Sequence, residues 1–156
     1  MMIKNKFIFL ILYFCSHINL IGQCDSTYTY YSELPSNVTV LVGDSCLFDA
    51  DILVLDSLIS INNLDYDSPL SIGTQTWFNS RLKFFVAGNY GNSSGVNDTI
   101  YTLPQNFGDL ESLASLYLEW NRISILPESF KNLYGLMSFY INNNILIDLG
   151  DSLGNL

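Results

Sequence analysis

The chain has 156 residues, with 6 Lys and Arg against 15 Asp and Glu and a formal net charge of −9. That length suits one domain. So acidic a chain excludes nucleic acid and anionic membrane surfaces as partners of first choice, because phosphate binding rests on Lys and Arg. Acidic charge equally serves to keep an apolar exported protein dissolved.

Residues 1–22 read as a secretory signal. Lys4 and Lys6 supply a positive start, and an apolar run follows from Phe7 to Cys15. The run falls far short of the ~18 residues that span a bilayer, so export and removal are expected, with an uncleaved anchor as the alternative. A lipidated Cys24 fits less well, because Gln23 stands where such sites place a small residue. Without residues 1–22 the chain keeps Arg81, Lys83, Arg122 and Lys131 against all 15 acids, a balance of −11, and has no histidine. Membrane insertion of the mature chain is not expected.

Cys24 and Cys46 are then the remaining cysteines. An even count in an exported chain predicts a disulfide. A zinc pair lacks further Cys or His ligands, so no metal site is expected.

Residues 23–80 read as an N-terminal capping region. Val38–Val42 follows Pro35 and precedes Gly43-Asp44, which predicts a short strand and a turn. Asp49 is placed to cap a helix running to about Ile61, with Asp51 in its first turn. Ile52, Leu55, Leu58 and Ile59 give that helix an apolar stripe. Residues 62–73 are rich in turn formers and predict a loop; Trp77 and Phe78 are expected to pack between cap and first strand.

Residues 81–156 repeat. From Leu113 the chain reads LASLYLEWNRISILPESFKNLYG, and 23 places later LMSFYINNNILIDLGDSLGNL. Leu113, Leu116, Leu118, Asn121, Ile123, Leu126, Phe130 and Leu133 fall on Leu136, Phe139, Ile141, Asn144, Leu146, Leu149, Leu153 and Leu156. Such a period marks stacked units that bury an apolar side only against one another. Asn121 and Asn144 sit where the chain leaves each strand, and their amides can serve backbone groups the turn leaves unpaired. Aligned on the same pattern, Phe84–Asn89 forms a first unit and Asn89 joins the Asn ladder. Arg81 then stands where Leu113 and Leu136 stand. Residues 90–99 (YGNSSGVNDT) are inserted before Ile100 and predict a mobile surface loop. The last of the three strand units is cut short at Leu156.

The pattern LxxLxLxxNxLxxLP resembles the leucine-rich repeat family. The resemblance implies an α/β solenoid: a right-handed superhelix with a parallel sheet on its concave face, irregular or short helical segments behind, and a strand-plus-helix N-terminal cap.

In the aligned register the outward residues are Phe85 and Ala87, Tyr117 and Glu119, and Tyr140 and Asn142, with Trp120 beside them at the strand's end; Phe85, Tyr117, Glu119, Trp120, Tyr140 and Asn142 are the candidate binding residues. Aromatics on a rigid face offer large contact area with few rotors, as binding hot spots do; the alternative is that cross-strand aromatic pairs only stabilise the sheet. A protein partner is expected, with a glycan as a further possibility. Catalysis finds no support. The mature chain holds no Ser-His or Cys-His constellation and no phosphate loop. Asp65 with Asp67, and Asp109 with Glu111, show nothing beyond solvated charge, and no cofactor is expected. Asn37, Asn92 and Asn97 head glycosylation-acceptor triplets. Two functions are consistent with this pattern: a secreted or surface-displayed recognition protein, or the sensory ectodomain of a larger receptor or enzyme.

Overall fold

Residues 24–92, 94–148 and 153 are described in the computed structural model. The expected signal 1–22, Ser93 of one acceptor triplet, and the repeat counterparts Leu149 and Leu156 lie outside the described residues. The elements run β1 (Tyr28–Tyr30), β2 (Val38–Val42), β3 (Cys46–Phe48), α1 (Asp49–Asn62), β4 (Thr74–Phe78), β5 (Arg81–Val86), β6 (Ser115–Tyr117) and β7 (Ser138–Tyr140).

Two sheets form. β1 and β3 pair antiparallel, and a five-stranded sheet has the order β2-β4-β5-β6-β7. β5, β6 and β7 are parallel neighbours, but β4 runs antiparallel to β5 while β2 lies parallel to β4. The expected leucine-rich repeat solenoid with a parallel concave sheet is therefore corrected: the chain forms a mixed sheet, one α-helix among the described residues, and a small second sheet. The reversal has a local cause. Asn79 and Ser80 both take left-handed backbone, at φ 47° and 65°. Two successive positive-φ residues make the tight turn that joins antiparallel strands. It folds β4 back beside β5, pairing Phe78 with Arg81, so the parallel run stops at β5.

Behind the parallel strands the chain returns through 3-10 turns, Phe107–Asp109 and Glu128–Asn132. Phe107 and Phe130 stack there at 6.0 Å between ring centroids. A single apolar core runs through the domain. Leu47, Leu55 and Leu58 join Trp77, Leu82 and Phe85, then Leu113, Leu116 and Leu118, without a break. The division at residues 80 and 81 falls inside the β4–β5 hairpin.

α1 covers one end of that core with Val54, Leu55 and Leu58. Its N-cap is Phe48 and carries no side-chain bond; Asp49 lies in the first turn and accepts from Thr29 Oγ1 at 2.8 Å. Asp51 is fully buried rather than solvated. Arg81 donates to it through Nε and a terminal nitrogen, both at 2.9 Å, and the Leu82 N–H donates at 2.8 Å. Burial pushes the Asp51 carboxyl up from its ordinary value, and these bonds pull it the other way. The pair explains why a cation opens β5: it neutralises an acid of the capping helix. Cys24 and Cys46 form the expected disulfide, with a Cα–Cα distance of 5.7 Å, tying the start of the described chain to β3.

Candidate recognition face

Strand pairing sets which side chains share the exposed face. Phe85 pairs with Leu116 and Val86 with Tyr117, and these in turn with Phe139 and Tyr140. The expected alignment is thus one residue out in the first unit. Leu82, not Arg81, occupies the place of Leu113, and both are fully buried. Phe85 is likewise fully buried and leaves the candidate face; Val86 takes its place beside Tyr117. Since alternate strand residues point to opposite faces, a one-residue slip exchanges the two sets. Phe84 consequently emerges as an exposed aromatic that the expected register had hidden.

The other expected face residues do come together. Tyr117 and Tyr140 stack with centroids 4.7 Å apart and planes 12° from parallel. Glu119 lies farther along the same strand line, half-buried, and Asn142 is exposed beside it. Asn89 and Trp120 donate backbone N–H bonds to Glu119 O and Asn142 O at 2.9 and 3.1 Å, continuing the parallel ladder beyond the strands.

Asn121 and Asn144 act as expected. Asn121 Nδ2 donates to Ala87 O at 2.9 Å and Leu118 O at 3.1 Å, and its Oδ1 accepts the Ile100 N–H at 2.9 Å. Asn144 repeats this with Leu118 O, Ile141 O and the Ile123 N–H. Asn89 does not join them. Its amide donates instead to Thr99 Oγ1 at 3.3 Å. Once the register moves by one, the residue equivalent to Asn121 is Tyr90.

Tyr90 is the site residue that sequence reasoning missed. Its ring lies over Gly88, where an added Cβ would fall 2.3 Å from Tyr90 Cζ. Its hydroxyl donates to the Glu119 carboxylate. Burial first, then the bond to Glu119 and the nearby negative charge, hold the Tyr90 phenol well above its usual range. Part of the inserted segment is anchored to the fold, while Asn92, Ser94, Asn97 and Asp98 are exposed. Val96 is fully buried and donates its N–H to Gly88 O at 3.0 Å, and Thr74 Oγ1 donates to Ser94 O at 2.7 Å. A signal for this was available: Leu82, Phe85 and Ala87 match the spacing of Leu113, Leu116 and Leu118.

Trp120 stands apart energetically. Its backbone is left-handed at φ 61°, and Asn143, its counterpart one unit on, sits at φ 58°. Asn tolerates that region, whereas a bulky residue there costs about 1 kcal/mol or more. Yet the Trp120 side chain gains little burial in return, remaining 58% exposed.

Elsewhere the candidate groups stay dispersed. Asp65, Asp67, Asp109 and Glu111 are exposed, and among the described residues no group of three or more His, Cys, Asp or Glu could hold a metal ion. Asn37 uses its amide internally, donating to Leu70 O at 2.8 Å and Gly73 O at 2.7 Å; Asn92 and Asn97 are exposed. No described helix is long and apolar enough to cross a membrane. No protein-family model matches the chain, and no curated protein matches it, so the resemblance in the repeats stands on its residues alone.

Proposed function

We propose that this chain is an exported recognition module that binds a protein partner, or a glycan, through the outer face of β5, β6 and β7. Trp120, Tyr117 and Tyr140 are its apolar anchors, and Glu119, Asn142 and Tyr90 its polar groups. The observation that carries this reading is Trp120. A left-handed backbone is costly for a bulky residue, and here it carries a ring that remains 58% exposed; such outliers gather where a surface has another task. Stacked Tyr117 and Tyr140 add a rigid aromatic shelf with hydroxyl tips, which suits an interface that is apolar in part and wet at its rim. The Cys24–Cys46 disulfide supports an oxidising, extracellular setting.

Photo-crosslinking tests the assignment. A benzophenone amino acid in place of Phe84, an exposed aromatic of β5 outside the proposed anchors, should trap a discrete partner from extracellular fluid, and a glycan array should report binding if the partner is a sugar. Trp120→Asn should abolish capture while the domain stays folded. Leu53→Ser, on the exposed side of α1, should leave capture intact. Capture that survives Trp120→Asn, or that is lost with Leu53→Ser, would remove this face from consideration.

A further inference from the structure

Glu119 has no cation of its own. Arg81 is held by Asp51 and Lys131 by Glu128, and no salt bridge among the described residues includes Glu119. Its Oε2 accepts the Tyr90 hydroxyl, and its Oε1 has no hydrogen-bond partner among the described residues. Aromatic residues flank it along the chain: Tyr117, stacked on Tyr140, two positions before, and Trp120, 58% exposed, one position after. Tyr90 is seated in advance of any ligand. A Cβ at Gly95 would fall 1.8 Å from Gly88 O and 2.9 Å from Tyr90 Cδ2, so only glycine lets the two backbones close beside the ring. The carboxylate is therefore oriented before binding, which lowers the ordering cost of an association.

Charge decides what such a group attracts. Residues 115–119 and 138–142 contain one charged side chain, Glu119. Aromatic ring faces are electronegative and indole is the strongest of them, so rings and carboxylate favour the same guest, a cation. The whole chain agrees, since a net charge of −9 steers positive partners towards it and anions away. A neutral sugar hydroxyl would use Oε1 and leave the charge of a half-buried carboxylate uncompensated. A guanidinium or ammonium compensates it with a charge-assisted bond.

We infer that Glu119 and Trp120, with Tyr90 and Tyr117 beside them, form a subsite for an arginine or lysine side chain of a basic protein partner. The inference rests on the recognition reading of this face and narrows it from protein or glycan to a protein with an exposed cationic side chain. The cationic head donates to Glu119 Oε1 and lies against the indole, while Tyr90 keeps its hold on Oε2. Arginine fits best, because its planar fork stacks on an aromatic ring and bonds a carboxylate with the same group.

Titration of the disulfide-bonded chain with a hexa-arginine peptide tests it. Glu119→Gln, which keeps an oxygen to accept the Tyr90 hydroxyl, should weaken binding about tenfold. Glu128→Gln removes the same charge from an exposed carboxylate paired with Lys131 and should leave affinity within about twofold. Indole N–H resonances of the parent chain give a second measurement that needs no variant: the Trp120 signal should shift with added peptide, and that of fully buried Trp77 should not. Equal weakening by the two variants would mean general acidity and overturn the subsite. So would unaltered binding by Glu119→Gln, a static Trp120 signal, or tighter binding of neutral cellohexaose than of the peptide. Crosslinking from Phe84 separates the two readings: capture lost with Trp120→Asn but kept in full with Glu119→Gln would overturn the cation subsite and leave the recognition face standing. Capture insensitive to Trp120→Asn would remove both.

Discussion

Removing the Asn121 amide tests whether the parallel strands are held by the Asn ladder or by packing alone. Asn121→Ala deprives Ala87 O and the Ile100 N–H of partners, while Leu118 O keeps its bond from Asn144 at 2.8 Å. Both deprived groups lie in buried residues, and Asn121 itself is 4% exposed. A buried polar group left unsatisfied costs about 1–3 kcal/mol, so two of them should destabilise the domain by about 4 kcal/mol. Asn144→Ala deprives Ile141 O and the Ile123 N–H in the same way, but Asn144 is only half-buried, so water can replace the amide. Its cost should stay near 1–2 kcal/mol. With a urea m value of about 2 kcal/mol/M, the first variant should lower the unfolding midpoint by ~2 M and the second by under ~1 M. Urea titrations followed by tryptophan fluorescence and by circular dichroism would measure both. If Asn144→Ala cost as much as Asn121→Ala, the argument from burial would be wrong.

Further tests address other parts of the structure. Trp120→Asn should raise stability by about 0.5–1 kcal/mol, because Asn suits a left-handed backbone, even as it removes the proposed anchor; a fall in the thermal midpoint would contradict the strain. Tyr90→Phe should cost about 1 kcal/mol at pH 8 through loss of the bond to Glu119. Since the folded Tyr90 pKa is raised, that contribution is complete below the unfolded value near 10 and is lost as pH climbs through the higher folded value. The gap between parent and Tyr90→Phe should therefore narrow only above about pH 10; a gap already closed at pH 8 would mean the bond does not form. Leu118→Ala should destabilise by ~2–5 kcal/mol as a fully buried leucine, read from the same urea titration. Replacing Cys24 and Cys46 together with Ala should cost roughly 3 kcal/mol on the chain-entropy model, and differential scanning calorimetry would show it as a lower midpoint.

Much of the local structure was legible in the order of residues. Alternating Val38, Val40 and Val42 between Pro35 and Gly43 marked β2, and the stripe through Leu55 and Leu58 marked α1. The 23-residue offset placed β6 beside β7 in the correct register, together with the Asn121 and Asn144 bonds and the Tyr117–Tyr140 stack. The first unit misled because Phe84 and Phe85 are adjacent and equally apolar. Taken by themselves these two residues do not say which turns inward; the spacing of Leu82, Phe85 and Ala87, matching Leu113, Leu116 and Leu118, does. Asn89 supplied an apparent match at the wrong step. In the structure Arg81 is drawn onto Asp51 of α1, a partner 30 positions earlier that no repeat comparison could reveal.

The chain by itself determined its periodic apolar stripe, its cysteine pair and its acidic charge, because these depend on residue type and on spacing within a few turns of backbone. Tertiary structure alone decided that β4 folds back antiparallel, that the Tyr90 hydroxyl reaches the Glu119 carboxylate, and that Trp120 stands exposed on a strained backbone. Those outcomes depend on which distant groups compete for one place, and that competition is settled only when the sheet, the helix and the inserted loop pack together.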